Sequence, residues 1–202
     1  MKSTLLEKHR YANGVVKIRF SPSDRKFFET IKAHGLKIER AELINGVPAT
    51  KQVVNASLKA FDMNDTSLWM PLFRRNKQKY APVYQLLYNA SSHDKDPNRA
   101  LKQQNLAHDL LMLLCDQDKY AAIASGLYFL DSTLKSNTKY VYQVSSMVGK
   151  QTIILRTFTL ETHHNDPEPA LCDLQTTCAN GRQYLMWNAD SVKQDYSGFV
   201  LE

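Results

Sequence analysis

Histidines beside carboxylates are where this sequence comes nearest to catalytic chemistry. His93-Asp94 and His108-Asp109 each set an imidazole next to a carboxylate able to orient it, as general acid–base catalysis requires. His163-His164-Asn165-Asp166 gathers donors of the kind that hold transition metals. Adjacent residues on a strand point to opposite faces, which argues against one metal shared by His163 and His164, and loop polarity accounts for that cluster. Exposure on a helix accounts for the other two pairs. The chain has no glycine-rich phosphate loop, no nucleophile elbow and no HExxH spacing. Carboxylates for glycoside hydrolysis are defined by their separation in space, which spacing along a chain does not supply. No residue is therefore assigned as catalytic, cofactor-binding or metal-binding, no cofactor is expected, and the chain is read as a non-enzyme.

A binding surface is the stronger candidate. Trp69, Phe73, Arg74, Arg75, Lys77, Lys79 and Tyr80 form an aromatic and basic run, with Tyr84 and Tyr88 close behind. From Thr66 to Lys102 there are seven Lys or Arg against two acidic residues, so much of the net charge of +6 is concentrated there. Trp, Tyr and Arg carry much of the energy at protein contacts, so the run suits an interface with an aromatic anchor and a basic rim. Two simpler readings stand beside it. Trp69 and Leu72 at helical spacing suit packing onto the rest of the domain, and the charges suit a solvated face. The same charges would attract phosphates without specificity, although no nucleic-acid reader motif is present.

Those residues need a scaffold, and the chain has the length for one. With 202 residues and 43% hydrophobic content, one domain of ordinary size can bury a sizeable core. Seven glycines and seven prolines exclude a collagen-like or low-complexity chain, and no apolar stretch is long enough to cross a bilayer as a helix. The opening Met1-Lys2-Ser3-Thr4-Leu5-Leu6 runs straight into Glu7, Lys8, His9 and Arg10 and lacks the apolar centre of a secretory signal. Cys172 and Cys178, on one extended segment, would lie roughly 20 Å apart, beyond a disulfide's reach, and Cys115 suits a buried position in a leucine-rich helix.

Alternation predicts strands over Val15 to Phe20 and Leu36 to Ala41, joined by a helix that Ser23 caps and Gly35 ends. Asn45-Gly46 marks a tight turn, and Pro48 keeps the following residues out of an inner strand. From about Val54 the period becomes helical. Asp65 or Thr66 caps one helix carrying Leu68, Trp69 and Leu72; a second runs from about Tyr80 to Ala90; Asp96-Pro97 opens a third that Gly126 closes. Strands return over Leu127 to Leu130, Lys139 to Met147 and Thr152 to Leu160, the last two joined by a turn at Val148-Gly149-Lys150. A helical block between strands of one sheet is most simply an insertion, since closure entropy grows slowly with loop length.

The chain also repeats itself. Ala12-Asn13-Gly14, with Phe20 six positions past the glycine, returns late in the chain as Ala179-Asn180-Gly181 with Trp187 at the same offset. Gly35-Leu36-Lys37-Ile38-Glu39 returns at nearly the same interval as Gly198-Phe199-Val200-Leu201-Glu202. A period as long as a domain predicts tandem domains, one whole and one cut short, within a longer protein.

Leu134, Thr138, Tyr140, Tyr142 and Val144 around Ser136-Asn137 resemble the Leu-x-Pro-x-Thr-x-Tyr-x-x-x-Val pattern of fibronectin type III domains, with serine where proline is usual. Trp187 resembles the core tryptophan of that family's second strand, a place Phe20 takes in the first copy. The two glycine-led segments resemble its third strand, and Pro167-Glu168-Pro169 resembles a linker between modules. The resemblance covers residues 5–50 and 125–202. It implies a mainly β chain: a fibronectin type III-like, immunoglobulin-like β-sandwich over 1–164 with a helical insertion at about 54–125, a linker at 165–169, and the first strands of a second sandwich over 170–202. It also implies a tyrosine corner at Tyr140, its hydroxyl bonding backbone upstream. The family's members serve as spacers, adhesion modules or accessory parts of enzymes, so fold does not decide activity. The function expected is a noncatalytic spacer and protein- or surface-binding module of a larger multidomain protein, of the cell-surface or secreted kind. The alternatives are an accessory carbohydrate-binding or positioning module, which exposed Trp69, Tyr80 or Tyr84 rings would favour, and polyanion or nucleic-acid binding through the basic insertion. The protein or surface partner is not identified by the sequence.

Overall fold

Asn13 and Gly14 both take positive φ, 52° and 77°, the backbone of a two-residue hairpin turn. They join β1 (Leu5–Ala12) to β2 (Val15–Pro22), paired from Ala12 opposite Val15 to Leu5 opposite Pro22. Val16, Ile18 and Phe20 of β2 are fully buried, while Lys17 between them is exposed, so the alternation does produce a one-sided strand. The computed structural model describes residues 4–88, 96–149, 151–163, 172–179 and 182–188.

Helix α1 (Arg25–His34) is capped by Asp24, whose Oδ1 accepts from Phe27 N at 2.9 Å. Ser23, the expected cap, instead accepts from Thr4 N at 2.9 Å, because the helix begins one residue later. Gly35 ends α1 at φ 77°, and a Cβ there would meet Ser57 Oγ and Lys59 Cγ at 2.8 Å. Next come β3 (Leu36–Ile44), β4 (Val47–Pro48) and β5 (Gln52–Leu58). Strand β5 pairs antiparallel with β3 as far as Leu58, so residues 54–58 belong to a sheet where a helical period was expected. Two register shifts in this ladder spoil the alternation that would have marked a strand.

Helices α2 (Thr66–Tyr88), α3 (Pro97–Gln117) and α4 (Lys119–Ala124) follow, then β6 (Tyr128–Asp131), β7 (Lys139–Val148) and β8 (Gln151–Glu161). The helical block closes at its base. Phe61 N donates to Ala124 O at 2.9 Å, and Gly126, at φ 67°, lies so close to Lys59 and Ala60 that a Cβ would meet their backbone at 2.4 Å.

The strands form two antiparallel sheets, β1-β2-β6 and β4-β3-β7-β8, with β5 also beside β3. Val16, Ile18 and Phe20 of the first sheet, Ile38, Tyr142 and Val144 of the second, and Trp69, Val83 and Leu111 of the helices share one buried apolar cluster. This part of the chain is sheet-rich, but α2 and α3, of 23 and 21 residues, make it a mixture of strand and helix, so "mainly β" is too strong for the whole. Tyr140 is buried, and its hydroxyl accepts from Lys135 N at 2.9 Å.

The chain divides into two compact units, Met1–Asn165 and Asp166–Glu202. In the second, β9 (Cys172–Ala179) and β10 (Arg182–Asn188) form an antiparallel hairpin. Moving β1 and β2 along the chain by the interval from Gly14 to Gly181 lands on these strands, and the pair Ala12–Val15 becomes the observed pair Ala179–Arg182. The proposed linker at 165–169 and the third-strand segment at 198–202 lie outside the described residues.

Candidate functional site

Asp65 Oδ1 opens α2 by accepting from Ser67 N at 3.0 Å and Leu68 N at 3.3 Å. Its hydrogen bond from the Ser67 hydroxyl, with those amides, holds the carboxyl below its usual pKa. The helix breaks at Asn76 (φ −163°, ψ 95°) and restarts there, Asn76 Oδ1 accepting from Lys79 N at 3.0 Å. Two helical runs, as the spacing suggests, are thus joined by an internal cap.

The aromatic and basic residues fall into two groups, each drawing on both sides of this break. Trp69, 2% exposed, stacks on Phe73 at 5.8 Å and meets Phe61, Tyr84 and Tyr88 edge-on at 5.6, 5.0 and 6.0 Å. Its indole donates to Asp62 O at 3.1 Å. The Tyr84 hydroxyl donates to Met63 O and the Tyr88 hydroxyl to Phe61 O. Burial, helped by Asp62, pushes the Tyr88 phenol up to about 12. Rings enclosed this way are the packing of the helical block. Trp69 therefore presents no face to a partner, and the same holds for Tyr80, also 2% exposed.

The second group surrounds Asp118. Asp118 caps α4, accepting from Tyr120 N at 2.8 Å and Ala121 N at 2.9 Å, and binds Lys79 Nζ at 2.7 Å and the Tyr80 hydroxyl at 3.4 Å. Burial works against its charge, but Lys79 and the capped amides overcome this and lower its pKa. Burial and Asp118 together raise the Tyr80 phenol. Arg75 lies over the Tyr120 ring at 4.4 Å and Lys119 at 5.0 Å. Arg74, Arg75, Lys77, Lys79 and Lys119 are all exposed. This rim can hold anionic groups. Asp118, Lys119 and Tyr120 join it from a distant stretch of chain, and no local spacing links them to Arg75 or Lys79.

The histidine pairs fare differently. His108 Nδ1 lies 3.2 Å from Asp109 Oδ1, but the ring is buried against Phe28 at 5.8 Å, not exposed as expected, and its Nε2 has no partner. Helix α3 packs that ring toward α1, where a substrate has no access. His163 is exposed; His93-Asp94 and His164, Asn165 and Asp166 lie outside the described residues.

One polar constellation has no signal in the sequence. Arg40 of β3 and Asp131 of β6, 7% and 3% exposed, pair across the two sheets at 2.6 Å. Asp131 also accepts from the Tyr142 hydroxyl at 2.8 Å and from Thr133 N and Oγ1 at 2.9 and 2.7 Å. Burial opposes both charges. The hydrogen bonds nevertheless hold Asp131 below the usual carboxylate range, and Asp131 raises Arg40. Arg40 and Asp131 line a cleft of about 290 Å³ with Gln52, Val54 and Phe129. Their polar groups are already engaged with one another, so the arrangement works as a clasp between sheets. No known protein family and no curated protein matches this chain.

Proposed function

We propose that the chain is a noncatalytic interaction and spacer module of a larger multidomain protein, built on a fibronectin type III-like sandwich, with its helical block as the recognition element. Three features support the sandwich reading: the strand orders β1-β2-β6 and β4-β3-β7-β8, the Tyr140 hydroxyl bonded to the Lys135 amide in the manner of a tyrosine corner, and a second hairpin repeating the register of the first as far as Met186. The observation that carries the recognition reading is the exposed rim of Arg74, Arg75, Lys77, Lys79 and Lys119, held on a helical block with its own aromatic packing. Charge on a rigid scaffold is what selective contact with an acidic protein surface needs. The anchor is accordingly the guanidinium and ammonium groups, with the rings as their support.

The test is capture of partners from source-cell extract by the whole chain and by Arg74→Glu/Lys77→Glu, two exposed positions whose change leaves the packing alone. A protein retained by the first and lost by the second supports the proposal; identical capture by both sinks it. Polyanion binding is the second reading, favoured by Arg75 and Lys119 meeting over Tyr120, with Lys79 on the neighbouring Asp118. It requires retention on a polyphosphate matrix that falls steeply with salt. Because Trp69 and Tyr80 are enclosed, a sugar-stacking role would rest on the half-buried Tyr84.

A further inference from the structure

Helix α3 packs His108, Leu111, Met112 and Cys115 inward. On its opposite side Leu106, Leu110 and Leu113, spaced as one helical stripe, are 59%, 44% and 44% exposed. The charges beside this stripe are sorted by sign. Lys102, Asp109 and Asp116 follow at seven-residue intervals and so share one flank, and Arg99 precedes the leucines on their own line. Beyond its Asp96 cap the helix has no acid in its first turn and no base in its last. A helix dipole favours the reverse order, acids early and bases late. Arg99 beside Asp96 at 3.7 Å and Asp109 beside the His108 ring at 3.2 Å are contacts within this stretch, but the order itself opposes the dipole, and a partner of opposite order would complement it.

We propose that a second copy of this chain covers the stripe, the two α3 helices running antiparallel about a two-fold axis near Leu110. Leu106 then packs against Leu113 of the other copy, and symmetry makes the contact twice. A two-fold of this kind brings like flanks together, so Lys102 faces Asp116 of the other copy on both sides of the axis. Asp116 is fixed in place by Arg19 at 2.9 Å. A parallel two-fold would instead set this flank against the other flank of the second copy, where Gln103, Ala107 and Leu114 carry no charge to pair with it. Asp109, beside the axis, meets its own counterpart and is the one repulsive contact. This surface is separate from the basic rim of α2 and α4, and the inference does not depend on that reading.

The test is sedimentation equilibrium of the whole chain from low micromolar to its highest soluble concentration, with helicity measured for every variant. A dimer is expected, and Leu110→Glu, at a half-exposed position, is expected to leave a folded monomer. Lys102→Glu should raise the dimer dissociation constant about tenfold, since two pairs are lost together. Asp109→Asn should tighten the dimer about threefold by removing the like-charge contact. A chain that stays monomeric at all concentrations overturns the proposal, as does a dimer that survives Leu110→Glu. A dimer sensitive to Leu110→Glu but indifferent to both charge changes overturns the antiparallel arrangement.

Discussion

Asp131→Asn tests the clasp between the two sheets. The substitution keeps the shape but turns an acceptor of four hydrogen bonds into an amide whose nitrogen end faces other donors, and it leaves Arg40 buried without a counter-charge. At 7% and 3% exposure the pair lies far from the surface regime, where ion pairs contribute about 0–1 kcal/mol. Breaking a buried pair on one side costs about 3–5 kcal/mol, a large share of the roughly 5–15 kcal/mol that holds a domain together. For a chain of this size that is a fall in melting temperature of about 10 °C. The sign with pH follows from the lowered pKa of Asp131. Its contribution is complete above the unfolded value of about 3.9 and is lost as pH falls through the folded value, so wild type and variant should converge in acid and stay apart at neutral pH. Urea titrations at several pH values measure this. Arg40→Met should cost a similar amount, and adding Asp131→Leu and Tyr142→Phe should recover part of it, because no charge or hydroxyl is then stranded. A loss for Asp131→Asn below about 1 kcal/mol at neutral pH, or a gap unchanged in acid, would refute this account.

Three further outcomes are expected. Gly126→Ala combines a positive φ with a 2.4 Å approach to the backbone of Lys59 and Ala60 and should destabilise by about 2 kcal/mol or more in chemical denaturation; a neutral effect would mean the base of the helical block is not packed as described. Trp69→Ala empties the centre of the aromatic cluster and should cost about 3–5 kcal/mol, against less than about 1 kcal/mol for an exposed ring, as read by thermal unfolding. A chain ending at His164 should melt within a few degrees of the full chain, because the second unit is compact by itself; a large drop on truncation would show that the first unit depends on it.

What was readable from the residues were the features written in local chemistry. Asp65, Asp96-Pro97, Asn13-Gly14 and Asn45-Gly46 act at one cap or turn each, and each does so here. Misreadings arose where neighbours in space decide. Trp69 and Arg75 stand close together in one run, yet one lies inside and the other outside, because they sit on different faces of the helix and Phe61, Tyr84 and Tyr88 cover only the first. His108 resembles an exposed helical histidine until α1 covers it. Arg40 and Asp131 are 91 residues apart and look like ordinary charges in two strands. Only pairing β3 and β6 into facing sheets turns them into a clasp.

The closed base of the helical block has a mechanical consequence. Phe61 and Ala124 touch through a hydrogen bond, so the whole stretch between them leaves and rejoins the sheets at nearly one point. Tension applied through β1 and β8 would be borne first by the pairing of the strands, and the helices, although packed into the same core, are not in series with it. While the sheets hold, the block can carry its surface without being stretched. Once they give way, it releases a hidden length of about 210 Å at roughly 3.4 Å per residue. A domain of this design would be stiff under modest force and extensible beyond it.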